Sequence, residues 1–315
     1  MSNQARLSVV VFLALLPFVG LYWYAEHSLR AVHRAHQEAE LLHQVGRIGL
    51  MYNRTLAQSE MLLGALSEMS EFESPRQPRC DQVLSSVMGH LTYYTGIQFI
   101  DVDGFVSCGS LAGYGDLFVN DRYYHRGALA NRQFTIGNFV MGRITGKPVV
   151  GLAYPIEAAG SSEATGVLAL YFDLDELANR AYELGMPQAA TFTVVDRSGT
   201  VMVRVPARQV GPDTVGATVP ASFPVPTSAS GDPYLARGVD LDGVERHFAV
   251  QPLQAGTSRS YGHVYFGVED DVVFEGGTLE PIGRLRMLAL AGLLVIGGAW
   301  LFGVKTIAER ESAAT

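Results

Sequence analysis

The run NDRYYHRGALANRQFTIGNFVMGRITGKPVVGLAYPI, residues 120–156, decides how the rest of the chain is interpreted. It brings arginines, a lysine and several tyrosines close together and ends in residues typical of β-strands. Gly142 and Gly146 flank Arg143 and predict a hairpin turn, on which Arg143 could instead face solvent. We expect this run to form the ligand-contacting face of a module held outside a membrane.

The polar side chains of this run have a chemistry that suits a small organic acid. Guanidinium groups bind carboxylates through paired hydrogen bonds, a lysine adds a point charge, and tyrosines offer flat walls with hydroxyl donors. The predicted ligand-binding residues are Arg122, Tyr123, Tyr124, Arg143, Lys147, Tyr154 and Tyr171. The alternative for Arg122 is an ion pair with Asp121 that only shapes the loop. Asp173 is interpreted as a helix cap, because Asp173-Leu-Asp-Glu176 resembles a capping box.

Two apolar runs lie near the ends of the 315-residue chain. LSVVVFLALLPFVGLYWYA, 7–25, contains no charged residue, and MLALAGLLVIGGAWLFGV fills most of 284–304. Each run is about long enough to cross the ~30 Å apolar core of a bilayer. A cleaved signal peptide is the alternative for 7–25, but bulky Tyr22, Trp23 and Tyr24 stand where small residues would be needed. We predict two transmembrane helices, with residues 1–6 and 305–315 in the cytoplasm and 26–283 outside it.

Composition and motifs exclude several classes of function. A net charge of −8 and a pI of about 5.5 argue against a nucleic-acid partner. The sequence holds no G-x-S-x-G, P-loop or HExxH motif, so we expect no enzyme, no cofactor and no resident metal. His36, Glu40 and His43 share one helical face that could hold zinc, but a solvated, pH-sensitive face is the favoured interpretation.

Residues 26–79 predict a long helix and a linker that continue the first span outward. Their apolar positions recur at a spacing of three to four, which is typical of a helix with one buried face. These positions are Val45, Ile48, Tyr52, Leu56, Leu63 and Leu66. The stripe can pack on its own domain, on a second copy of the chain, or on both.

The chain has two cysteines, Cys80 and Cys108. Cys80 begins a predicted helix that runs to about Tyr93, and Cys108 ends a predicted strand–turn–strand unit over 97–108 whose turn contains Asp103-Gly104. A disulfide persists outside the cytoplasm and would join the helix to the second strand. The alternative is a thiol pair that acts as a redox switch.

The second half of the outer segment repeats the first. QFIDVDGFV, 98–106, aligns with TVVDRSGTV, 193–201, and GVLALYF, 166–172, aligns with GHVYFGV, 262–268. Two matches at an offset of about 95 residues indicate two copies of one α+β unit. We name 80–184 the distal module and 185–283 the proximal module. The proximal copy has no counterpart of the arginine- and tyrosine-rich run, which predicts that one copy senses and the other transmits.

Four segments carry a resemblance to a known family: DRYYHRGALANRQFTIGNFVMGRITGKPVVGLAYPI, GVLALYFDLDEL, TFTVVDRSGTVMVRVP and GHVYFGVED. With the predicted spans and long helix, they are similar to the double Cache, PDC-like sensor domains of bacterial transmembrane receptors. The resemblance implies two PAS-like modules of antiparallel sheet flanked by helices. It also implies a periplasmic domain on the bacterial inner membrane, a ligand in the membrane-distal module and a dimer along the long helix.

One departure from the family bears on the ligand. The resemblance implies that amino-acid-binding members place an arginine and a tryptophan where this chain has Asp121 and Tyr123, and an aspartate near Tyr171. Those groups hold the carboxylate and the amine of the ligand, so the resemblance puts an α-amino acid in doubt.

The favoured function is therefore a membrane-anchored extracytoplasmic sensor that binds a small molecule and passes a conformational change across the membrane. Because we identify no output domain after the second predicted span, we expect the partner to be a homodimer copy or a separate signalling protein, or the chain to be a truncated receptor. The alternatives are an envelope interaction protein that modulates a full-length receptor, and a thiol redox sensor.

Overall fold

The computed structural model describes residues 3–73, 78–158, 160, 163–183, 190–206, 214–224, 231–255 and 258–269, together with single positions between 287 and 305. Residues 40–269 form one compact unit, and residues 1–39 group with 270–315. The elements in chain order are α1 Asn3–Ser67, α2 Ser70–Glu73, α3 Arg79–Met88, β1 Tyr94–Asp101, β2 Val106–Gly109, α4 Tyr123–Asn131, β3 Thr135–Met141, β4 Pro148–Glu157, β5 Ala164–Asp173, α5 Leu174–Glu183, β6 Ala190–Asp196, β7 Val201–Val205, β8 Tyr234–Val239, β9 Glu245–Ala255 and β10 Ser258–Glu269.

The apolar stripe of α1 packs on the chain's own sheets. All six positions predicted from the spacing are buried. Tyr52 contacts the ring of Phe172 in β5 at 5.7 Å and that of Tyr261 in β10 at 6.1 Å, so one side chain of α1 joins both modules. Ser59 adds a hydrogen bond of 2.7 Å between its Oγ and the hydroxyl of Tyr94.

Both modules contain a five-stranded antiparallel sheet with the same strand order. The distal sheet runs β2-β1-β5-β4-β3, and the proximal sheet runs β7-β6-β10-β9-β8. The predicted α+β class and the predicted repeat are therefore confirmed.

The repeat extends to single hydrogen bonds in the first turn of each module. The Asp101 carboxylate accepts the backbone N–H of Phe105 at 2.8 Å, and the Asp196 carboxylate accepts that of the equivalent Thr200 at 2.9 Å. Gly104 and Gly199 have φ values of 102° and 82°, which L side chains rarely adopt. This geometry explains why an aspartate and a glycine recur in both copies.

Cys80 and Cys108 form a disulfide that connects α3 to β2, as predicted. The predicted helix from Cys80 is shorter than expected: α3 ends at Met88, and β1 begins at Tyr94. Asp173 accepts the backbone N–H of Asp175 at 3.0 Å, which confirms its role as the cap of α5.

Within the described part of the chain, no helix has both the length and the hydropathy needed to cross a membrane. The predicted span at 7–25 lies in α1, where most side chains are outside the described residues. Apart from single positions, the predicted span at 284–304 and the tail at 305–315 lie outside them as well, as do residues 74–77 of the predicted linker.

Candidate ligand-binding site

A cavity of about 40 Å³ lies in the distal module between the sheet, the start of α4 and the β3–β4 turn. This volume is about three times the ~15 Å³ that one ordered water requires. Its lining residues are Thr95, Gln98, Leu111, Leu117, Val119, Arg122, Tyr124, Val140, Met141, Gly142, Arg143, Ile144, Thr145, Val149 and Tyr171. The predicted turn at Gly142–Gly146 is present, since the Gly142 N–H donates to the carbonyl of Lys147 at 2.8 Å.

Local packing positions the aromatic wall of the cavity. Gly151 in β4 has no side chain, and a Cβ there would collide with the ring of Tyr124. A Cβ at Gly137 in β3 would also be crowded, at 3.2 Å from that ring. The two glycines therefore let the Tyr124 ring lie against the sheet while its hydroxyl reaches the cavity.

Two arginines share one acidic partner at the mouth of the cavity. The Nη2 of Arg143 lies 2.8 Å from the carboxylate of Asp121, and the Nε of Arg122 lies 3.7 Å from it. Arg143 also donates to the carbonyl of Phe118, and Arg122 to that of Met141 at 3.4 Å. Two positive charges thus face one partly exposed negative charge.

Three polar side chains form a hydrogen-bonded chain along the inner wall. The hydroxyl of Tyr171 donates to the Oε1 of buried Gln98 at 2.7 Å, and the hydroxyls of Tyr124 and Tyr171 are 3.2 Å apart. Burial raises the pKa of Tyr124 and, more strongly, that of Tyr171. Both hydroxyls therefore remain protonated at physiological pH. The Tyr171 proton is engaged by Gln98, so the Tyr124 hydroxyl is the one that can donate to a ligand.

The electrostatic character of the cavity favours an anion. Arg122 and Arg143 line it, whereas none of the described lining residues is an aspartate or a glutamate. Asp121 offsets only part of the two positive charges. A small carboxylate entering the cavity would meet two guanidinium groups and neutral donors.

The structure brings four of the seven predicted ligand-binding residues together and separates the other three. Arg122, Tyr124, Arg143 and Tyr171 line the cavity. Arg143 lies on the predicted turn, where it pairs with Asp121 and lines the cavity while 37% of its side chain remains exposed to solvent.

The remaining three predicted residues have other contacts and do not line the cavity. Lys147 pairs with the α5 cap Asp173 at 2.8 Å. Tyr154 lies on the other face of the sheet, 3.6 Å from a Cβ placed at Gly64 of α1. The prediction that Tyr154 belongs to the cavity is therefore wrong. Successive side chains of a strand point to opposite faces of the sheet. Val149 and Gly151 of β4 face the cavity, so Tyr154, an odd number of residues away, faces the other side.

Tyr123, the third of these residues, belongs to a contact between the modules. Its ring lies 4.7 Å from the guanidinium of Arg197 in the β6–β7 turn, and its hydroxyl accepts a hydrogen bond from Arg197 at 3.0 Å. Arg197 also donates to the carbonyl of Ile136 at 2.8 Å. Tyr123 therefore connects the start of α4, next to the cavity, with the proximal module.

Sequence reasoning missed Gln98, Thr95 and Thr145, which also line the cavity. A signal for Gln98 existed: it is a polar residue inside the apolar strand run YTGIQFID, at a position that is fully buried. Buried amides are hydrogen-bonded, so such a residue indicates a polar partner within the module.

Comparison with known proteins supports the fold. No protein family matches the sequence, and no curated protein matches it either. Among solved structures, the extracellular domain of rpHK1S-Z16, which is named as a histidine kinase, matches with a TM-score of 0.65 and 17% identity, covering 77% of this chain and 98% of that one.

Two chemoreceptor domains show the same likeness. The ligand-binding domain of Pseudomonas fluorescens CtaA, in complex with L-serine, has a TM-score of 0.58 and 16% identity over 76% of this chain and 99% of its own. The ligand-binding domain of Pseudomonas aeruginosa PctB, in complex with L-Gln, has a TM-score of 0.59 and 16% identity over 78% of this chain and 97% of its own. The resemblance to double Cache sensor domains is thus confirmed at the level of the fold, which this chain shares with extracellular ligand-binding domains of receptors.

Proposed function

We propose that the chain is a membrane-anchored extracytoplasmic sensor whose distal module binds a small carboxylate. One observation carries the proposal: Arg122 and Arg143 converge with the Tyr124–Tyr171–Gln98 chain on a single cavity. The shared fold with receptor ligand-binding domains supports a sensor role. Ligand binding at an arginine pair is a charge-assisted interaction that gives both affinity and orientation.

The proposed ligand is a short organic acid without an α-ammonium group. CtaA and PctB are known in complex with amino acids. In this chain, a ligand ammonium would find no carboxylate among the described lining residues and would lie near two guanidinium groups. A cavity of about 40 Å³ also favours acids of a few carbon atoms.

Anchoring and signal transfer belong to the same proposal. The charge-free run 7–25 and the apolar run within 284–304 support two membrane spans. Tyr52 of α1 contacts both sheets, so a shift of the distal sheet can reach the helix that leads back to the first run. The receiver is a second copy of the chain or a separate signalling protein, in the bacterial inner membrane.

The test is a thermal-shift titration of the full chain with acetate, propionate, lactate and pyruvate, and with glycine and serine for comparison. At a free concentration of one hundred times its Kd, a ligand adds about 2.7 kcal/mol to the free energy of unfolding, which raises the melting temperature by about 5–10 °C. We expect a saturable rise with at least one of the acids and none with the amino acids.

Two variants make the test specific to the cavity. Arg143→Met removes a charged donor that lines it and is expected to weaken binding by about 10–100-fold. Lys147→Met is the matched control, because Lys147 pairs with Asp173 and does not line the cavity. Equal loss in both variants, or equal shifts with glycine and lactate, would contradict the proposal.

A second candidate, pairing with another membrane protein without a ligand, is favoured by exposed apolar side chains on α1. Leu50 is 71% exposed and Met61 is 67% exposed, and a separation of eleven residues places them on one helical face. No thermal shift with any acid would favour this candidate. The redox-sensor alternative is disfavoured because Cys80 and Cys108 are both buried, whereas sensor thiols need solvent access.

A further inference from the structure

The proximal module carries charged residues at the positions that correspond to the distal cavity. Equivalent positions follow from the strand register. Gln98 of β1 pairs with Gly109, and the equivalent Thr193 of β6 pairs with Arg204. Val149 of β4 pairs with Asp173, and the equivalent pair in the proximal sheet is Arg246 with Glu269.

Arg204 therefore stands where the distal sheet has Gly109, and Arg246 stands where it has Val149. Val149 and Gln98 line the distal cavity, and Gly109 lies beside Gln98. The β3–β4 turn that closes this cavity corresponds to the β8–β9 turn, which contains Asp240 and Asp242. The proximal module thus has an arginine pair of its own, at the sheet positions that correspond to those around the distal cavity.

The carboxylate of Asp240 fills the space between these arginines. Its two oxygens accept hydrogen bonds at 2.8 Å and 2.9 Å from the Nη1 and Nη2 of Arg204, so that pair is bidentate. A further bond of 2.9 Å comes from Arg246, one of 2.8 Å from the Thr191 hydroxyl, and one of 2.7 Å from the N–H of Leu241. Five donors thus satisfy the hydrogen-bonding capacity of one carboxylate, as they would in a site that binds an external acid.

The whole arrangement is removed from solvent. The side chains of Arg204 and Arg246 are 1% exposed, and that of Asp240 is 0% exposed. The Nε atoms of both arginines are buried and have no hydrogen-bond partner among the described residues. Arg246 also pairs with Asp242 and, at 2.9 Å, with Glu269, whereas Arg204 lies 3.7 Å from Asp242 and has its bidentate partner in Asp240. A buried guanidinium without a close anion is costly, so Arg204 requires a carboxylate at this position.

We propose that the proximal module is a carboxylate-binding site occupied by the chain's own Asp240. The tight β8–β9 turn delivers this side chain, with the Gly243 N–H donating to the Asp240 carbonyl at 2.9 Å. The class of ligand that the emptied site would take is a small monocarboxylate. External ligand is excluded from the proximal module while Asp240 is in place, whether or not the distal cavity binds a ligand.

The experiment empties the site and offers it free formate. In the full chain, Asp240→Ala is expected to lower the melting temperature by about 10 °C, because buried Arg204 loses its bidentate partner and Arg246 loses one of its three carboxylate partners. Sodium formate should restore at least half of this loss in a saturable manner. Sodium chloride at the same ionic strength, and neutral formamide, should not restore it.

A matched double variant separates the proximal site from the distal one. The double variant Arg204→Met, Asp240→Ala lacks the bidentate arginine of the proximal site but keeps the distal cavity. Any effect of formate on its melting temperature therefore comes from the distal module or from a nonspecific salt effect. The proposal requires a larger formate shift in Asp240→Ala than in the double variant and in the wild type. Equal shifts in all three chains would overturn it.

A second substitution covers the outcome in which Asp240→Ala does not fold. Asp240→Ser keeps one hydrogen-bonding oxygen and still leaves room for formate. Recovery of folded Asp240→Ser that depends on formate supports the proposal. Failure of both variants to fold at any formate concentration, or folding that is indifferent to formate, overturns it and leaves Asp240 with a structural role only.

Discussion

One of the cross-strand pairs that differ between the distal and proximal sheets sets the space above each sheet. In the distal sheet, Gly151 of β4 stands opposite Tyr171 of β5. At the equivalent place in the proximal sheet, Phe248 of β9 stands opposite Gly267 of β10. The aromatic residue of this pair thus lies on β5 in the distal sheet, but on β9, the equivalent of β4, in the proximal sheet. In the distal module the vacated place accepts Tyr124 from α4, whereas in the proximal module Phe248 packs with Phe223 and Tyr265.

The same two regions differ in how their arginines are neutralised. Arg122 and Arg143 share the partly exposed Asp121 beside a cavity. Arg204 and Arg246 enclose a buried aspartate. One backbone topology thus places an arginine pair beside an accessible cavity in one module and around a buried aspartate in the other.

The largest expected effect comes from replacing one arginine of each pair. Arg204→Met leaves Asp240 buried without its bidentate partner and should lower the free energy of unfolding by about 3–5 kcal/mol. Arg122→Met, 20% exposed and 3.7 Å from Asp121, should cost less than about 1 kcal/mol. Chemical denaturation of the two variants measures both values. Similar losses would remove the distinction between a filled and an accessible site.

Removing the disulfide should weaken the distal module alone. The bond closes a loop with a sequence separation of 28 residues, so the Cys80→Ser, Cys108→Ser variant should lose about 3–4 kcal/mol on the chain-entropy model. Hydrogen exchange resolves where the loss falls. We expect faster exchange in β1 and β2 and unchanged exchange in β6 and β7. Uniform acceleration across both sheets would show that the modules unfold as one unit.

Acid should weaken the proximal network. Burial alone would raise the pKa of Asp242, but its hydrogen bond with Arg246 and the nearby positive charges hold it below the ordinary 3.8. Because the unfolded chain binds this proton more readily, the stabilisation is complete above about pH 3.8 and is lost as the pH falls through the lower folded-state pKa. Asp242→Asn should cost about 1.5–3 kcal/mol at neutral pH and flatten this part of the stability–pH curve. A wild-type curve that stays level in this range would contradict the assignment.

The contact between the modules should give the smallest effect. Tyr123→Phe removes the hydroxyl that accepts from Arg197 but keeps the ring under the guanidinium, so about 0.5–1 kcal/mol should be lost. Arg197→Ala removes both interactions and should cost more. Equilibrium denaturation checks the order, and a larger loss in Tyr123→Phe would assign the hydroxyl a role beyond this contact.

Sequence periodicity predicted the parts of the fold that depend on local chemistry. The stripe of α1 follows a single helical period, and the turns after Asp101 and Asp196 need an aspartate and a glycine at fixed spacing. Strand alternation could also have excluded Tyr154 from the cavity, since Val149 and Gly151 lie on the other face.

The proximal network could not be predicted in the same way. Arg204, Asp240 and Arg246 come from a strand, a turn and a second strand, and they meet only because of the order β7-β6-β10-β9-β8. The sequence shows the residues but not their distances. Gln98 is an intermediate case, because its burial was readable from the strand while its partner Tyr171 depended on the pairing of β1 with β5.

The Asp196 carboxylate has a consequence for engineering chimeric receptors. One of its oxygens closes the β6–β7 turn through the N–H groups of Ser198 and Thr200, and the other accepts the N–H of Phe139 in the distal module at 3.1 Å. A distal module transplanted alone would leave this Phe139 donor without its acceptor. A chimera that exchanges ligand specificity should therefore carry the β6–β7 turn of its donor, so that the crossover point lies after Thr200 and not in the connection between the modules.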